Sequence, residues 1–77
     1  MKALQWLRTV HNFRSPGFWS KENPKQVASN SELARWIKNQ ALHINGKPVQ
    51  ADTFIDMDEL ESAALFPKNA QKRITIV

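Results

Sequence analysis

Residues Ser29–Val49, SNSELARWIKNQALHINGKPV, decide the fold of this chain. Ser29 followed three residues later by Glu32 is the pattern of a capping box, in which each side chain bonds the other's backbone N–H at a helix start. Leu33, Trp36 and Ile37 then recur at the three- and four-residue spacing of one helical face. Asn45-Gly46 falls between Leu42/Ile44 and Val49, and both residues tolerate the positive φ that a type I′ hairpin turn requires. The stretch predicts a helix over Asn30–Gln40, then a hairpin with strands Leu42–Asn45 and Lys47–Gln50.

Upstream, Ala3, Trp6, Leu7, Val10 and Phe13 form one apolar stripe, with Gln5, Arg8, Thr9 and Asn12 facing away, which predicts a helix over Lys2–Asn12. Ser15-Pro16-Gly17 ends it, because proline disfavours helical geometry in the residue before it and glycine permits a turn. A loop, Pro16–Ala28, leads to the Ser29 cap. Downstream, Thr53–Met57 reads as a third strand carrying Phe54 and Ile55. Asp58–Phe66 has a helix-favouring start and no clear period. Pro67-Lys68-Asn69 is a turn, and Arg73–Val77 alternates Ile74 and Ile76 as a closing strand.

The helix–strand–Asn-Gly–strand order resembles the α-L RNA-binding domain, the small fold named after the fourth protein of the small ribosomal subunit. Ser29, Ser31, Glu32, Arg35, Ile37 and Lys38 match the helical half of that family's pattern. Ile44, Asn45, Gly46 and Val49 match its hairpin half. Leu4, Trp6, Leu7 and Arg8 resemble the family's opening helix, whereas Asn30 and Ala34 stand where it usually carries arginine. The resemblance implies an α+β fold with two N-terminal helices packed on a small antiparallel β-sheet. In the family Asp58–Phe66 would be extended. It also implies binding of structured RNA, such as ribosomal or tRNA-like RNA.

Seventy-seven residues make one domain, 1–77, whose folding buries only about 60–65% of the unfolded surface. Three Trp and four Phe carry much of that burial. The chain has no cysteine, which removes disulfides and thiolate metal sites and suits a cytoplasmic setting. No apolar run is long enough for a signal peptide or a membrane span, and the Met1 start suggests a free-standing protein. Residues 1–50 hold eight Lys/Arg against two acids, a net of +6, and residues 51–77 three against five, a net of −2. A basic half favours a polyanionic partner such as nucleic acid.

Arg8, Arg35, Lys38 and Lys47 are the candidate phosphate contacts, as cations on the outward helix sides and at the hairpin turn. Ser29, Asn30 and Ser31 offer backbone N–H donors at the start of the second helix. Phe18 and Trp19, interleaved with Arg14, Lys21 and Lys25, are candidates for stacking unpaired bases, although covering the core edge is their ordinary role. His43 alternates with Leu42 and Ile44 and should project from the opposite sheet face. His11 is a lone helix-face residue, and the two histidines make no zinc spacing. Asp52, Asp56, Asp58, Glu59 and Glu61 lack the glycine and terminal glutamate of a calcium loop. No nucleophile–base arrangement or phosphate-cradling glycine loop appears, so no enzyme activity and no cofactor are expected. The leading expectation is a small RNA-binding protein acting through shape and phosphate contacts. The alternatives are a protein-interaction module using the Phe18/Trp19 loop and acidic tail, and a duplex-DNA-binding protein.

Overall fold

The structure, a computed structural model, describes every residue except Ser15. Ser15 of the expected helix break therefore lies outside the described residues. Helix α1 spans Ala3–Phe13 and α2 spans Asn30–Lys38. Strands β1 (Leu42–Ile44), β2 (Lys47–Pro48), β3 (Ala63–Leu65) and β4 (Ile74–Thr75) form an antiparallel sheet in the order β2-β1-β3-β4. The chain is α+β, two N-terminal helices with a small antiparallel sheet. Neither helix is long and apolar enough to cross a membrane, among the described residues.

Helix α1 buries Ala3, Trp6 and Leu7, as its spacing requires, and adds His11. Phe13 departs from the expected stripe and is 87% exposed. It is the last helical residue and sits at the stripe's edge. Phe18 returns from the loop to take the core position, stacking on His11 at 5.7 Å and meeting Trp36 edge-on at 6.5 Å. Nor is Lys2 a side-chain cap. The first N–H groups of α1 instead donate to distant carbonyls, Ala3 to Thr53 at 2.8 Å and Leu4 to Ala51 at 3.1 Å. Segment Thr53–Met57 is thus no sheet strand. It makes one bridge, Phe54 to Lys2, and the third strand forms at Ala63–Leu65.

The connection before α2 is an ordered ribbon rather than a plain loop. Trp19 bridges Val27, and Ala28 N–H donates to the Phe18 carbonyl at 2.8 Å. Glu32 holds it in place. The Ser29 hydroxyl accepts the Glu32 N–H at 3.1 Å, which is half of the expected capping box. The other half does not form, because the buried Glu32 carboxylate turns to the ribbon. It accepts the Ser20 hydroxyl at 2.6 Å and the Lys21 N–H at 2.8 Å. Ser20 Oγ in turn accepts the N–H groups of Glu22 and Asn23.

Helix α2 ends two residues before the expected Gln40. Asn39 caps it and Gln40 adopts φ +62°, with Gln40 N–H donating to the Ile37 carbonyl and Ala41 N–H to that of Trp36. These paired bonds satisfy carbonyls left open at the helix end, at a position where glycine is the usual residue. The hairpin turn forms as expected, with Asn45 at φ +52° and Gly46 at +83°. The Asn45 side chain also clamps the approach to β3. Its Oδ1 accepts the N–H groups of Glu61 and Ser62 at 2.7 and 2.9 Å, and its Nδ2 donates to the Glu59 carbonyl.

Leu42, Leu65 and Ile74 lie in one row across the sheet, on the face turned to the core. Pro48, His43, Ala64 and Thr75 form the adjacent row, and paired residues project from the same face. His43 therefore stands opposite Leu42, as its alternation predicts. That second row is the floor of a groove on the outer face of the sheet.

Candidate nucleic-acid interface

The four helix-side and hairpin cations do not converge. Arg8, Arg35, Lys38 and Lys47 are all exposed, but Arg35 pairs with Glu22 at 2.9 Å. Lys38 lines a cleft with Val49, Gln50 and Asp52, whereas Lys47 lines another with Phe54, Asp56 and Glu59. Arg8 lines none of the four main clefts. A phosphate approaching Lys38 or Lys47 would thus meet carboxylates in the same cleft, and like charges at short range oppose it. At the start of α2, the Ser29 hydroxyl is occupied by the Glu32 N–H, while Asn30 and Ser31 stay exposed. Phe18 is 1% exposed beneath the Arg14 guanidinium and cannot take a base. Trp19 is 51% exposed and paired with Val27.

A different set of cations gathers over the outer sheet face. One cleft of about 650 Å³ lies between the end of α2 and the turn after β3, edged by Lys21, His43, Phe66 and Lys68. A second, of about 300 Å³, continues along the face past Ala64 and Thr75 to Arg73. The two share His43, Gly46, Pro67 and Lys68, so they form one groove. Among the described residues lining either part there is no Asp or Glu side chain, although Val77, the last residue, lines the second part. Charge of one sign along a groove with low-dielectric walls focuses its field and concentrates anions.

The groove is braced from the core. Lys21 Nζ sits 4.2 Å from the Phe66 ring centroid, and Phe66 meets Trp36 edge-on at 5.1 Å. Trp36 in turn meets Phe18, over which Arg14 lies at 4.7 Å. One run of aromatic rings thus crosses the molecule with a cation over each end. Lys21 is tied at its backbone as well, through Glu32.

Sequence reasoning placed His43 on the right face but missed Lys68 and Arg73, which a tail net of −2 conceals. The order of charges was the available signal. All five acids after residue 50 fall at 52–61, and all three cations follow at 68–73. The sheet then separates the two blocks, because β3 lies between them in the chain. No protein-family model, curated protein or solved structure matches this chain.

Proposed function

We propose that this chain is a small, non-catalytic RNA-binding protein that recognises structured RNA through shape and phosphate contacts on the outer face of its sheet. The observation that carries the reading is a groove lined by Lys21, Lys68 and Arg73 and by no Asp or Glu side chain, beside clefts in which Lys38 and Lys47 share space with acids. Phosphate backbones need cations spaced along a groove rather than gathered in a pocket. The resemblance of Ser29–Val49 to α-L RNA-binding domains favours RNA over duplex DNA. A cytoplasmic setting belongs to the same proposal.

Three phosphate contacts imply that log K falls with log salt at a slope of about −2 to −3. Fluorescence polarisation with a structured RNA should show that slope, and the double variant Lys68→Ala/Arg73→Ala should flatten it by about two units. Arg35→Ala/Lys38→Ala should leave the slope within about half a unit of wild type. Salt-independent affinity, or a slope lost only in the second double variant, counts against the reading. Tighter binding to duplex DNA than to RNA would move the assignment to DNA. Exposed Phe54 and Met57, beside the acidic block, favour a protein-interaction module if no nucleic acid binds.

A further inference from the structure

Three non-glycine residues hold positive φ: Asn45, Gln40 at +62° and Phe66 at +52°. Asn45 is explained by the hairpin turn and its three side-chain hydrogen bonds. Gln40 is explained by the paired hydrogen bonds that close the end of α2, whereas Phe66 has no such local reason, and a glycine at either position would relieve the strain. Both line the same cleft, and their segments are joined by the Phe66 N–H donating to the Ala41 carbonyl at 2.8 Å. A strained residue such as Phe66 persists where the surrounding structure holds it, often at a site its side chain serves.

Resting on the RNA-binding reading, we propose that this cleft captures one unpaired nucleotide, its base against the Phe66 ring and its phosphate between Lys21 and Lys68. The chemistry fits each part of such a ligand. Phe66 lines the cleft, and there one face of its ring is covered only by the Lys21 ammonium, 4.2 Å from the ring centroid. A base is a larger partner for that face, and its arrival releases Lys21 toward the phosphate. The Gln40 and Asn39 amides, both in the cleft wall, each carry a donor and an acceptor for a base edge. At about 650 Å³, the cleft lies in the size range of small-molecule sites. Paired RNA alone would leave it empty, because stacked bases cannot reach the ring. A bulged or looped nucleotide fills it.

The test compares a blunt RNA duplex with the same duplex carrying a single-nucleotide bulge, by polarisation. Base–aromatic stacking predicts a preference of about 5- to 150-fold for the bulged duplex. Phe66→Leu should bring the ratio close to one, whereas Phe66→Trp should keep it. Gln40→Gly covers the case in which the Phe66 variants fold poorly. It should raise the melting temperature by about 4 °C while reducing the bulge preference, a combination that a purely structural residue does not produce. Equal affinity for the two duplexes, or variants that weaken both alike, overturns nucleotide capture and leaves RNA binding standing. Failure to bind either duplex overturns both.

Discussion

Gly17→Ala should damage this fold far more than Gly46→Ala, although both glycines hold positive φ. Gly17 sits at φ +105°, where a Cβ would lie 2.8 Å from His11 Cε1 and 3.2 Å from the His11 carbonyl oxygen. The ring cannot retreat cheaply. His11 Nδ1 accepts the buried Phe18 N–H at 3.0 Å, which puts the ring proton on Nε2, and the ring stacks on Phe18. The backbone conformation alone costs an L-residue about 1–3 kcal/mol. Displacing His11 leaves the Phe18 N–H without its acceptor, for about 1–3 kcal/mol more. The sum is about 2–6 kcal/mol, against a total stability of about 4–12 kcal/mol for a domain of this length. Gly46 stands at φ +83° with nothing within 4 Å of an added Cβ, so Gly46→Ala should cost only about 1 kcal/mol. Urea unfolding followed by circular dichroism measures both, and the difference should be about 1–5 kcal/mol at unchanged m-value. Equal losses in the two variants would refute the argument, since they would mean that the close approach to His11 carries no energy.

Two further outcomes follow from buried or bridging polar groups. Glu32→Ala removes the acceptor shared by the Ser20 hydroxyl and Lys21 N–H, and should cost about 2–4 kcal/mol in urea unfolding. It should also weaken RNA binding more than Lys21→Ala does, because the whole ribbon loses its anchor. Asn45→Gly keeps the hairpin's positive φ but deletes three side-chain hydrogen bonds to residues 59–62. Amide exchange at Glu61 and Ser62 should accelerate by about tenfold or more while β1 stays protected, as measured by NMR. Unchanged protection there would mean that Asn45 does not clamp the segment.

What could be read from the sequence was local, and what could not was remote. The apolar spacing of Leu33, Trp36 and Ile37 and the Asn45-Gly46 turn depend on neighbours within a few residues, and both formed. The Ser29–Glu32 box half formed, because Ser29 acts locally while Glu32 found stronger partners at Ser20 and Lys21. Phe13 and Phe18 are equivalent in composition. Only the path of the ribbon decides which one fills the core. Thr53–Met57 has strand-forming residues, yet its carbonyls were wanted by the uncapped start of α1. For the candidate site, His43 was legible through its alternation with Leu42 and Ile44. Lys21 comes from the ribbon, and Lys68 and Arg73 from the far side of β3, so their meeting is a product of sheet order that no short window of sequence encodes.

The carbonyls of Ala51 and Thr53 that close the beginning of α1 have a consequence for how the chain matures. Helix α1 is completed by groups synthesised about fifty residues after it, so during translation its leading turn frays until the hairpin has emerged and swung back. Shortening the chain from its far end past Thr53 would therefore loosen the opposite end first.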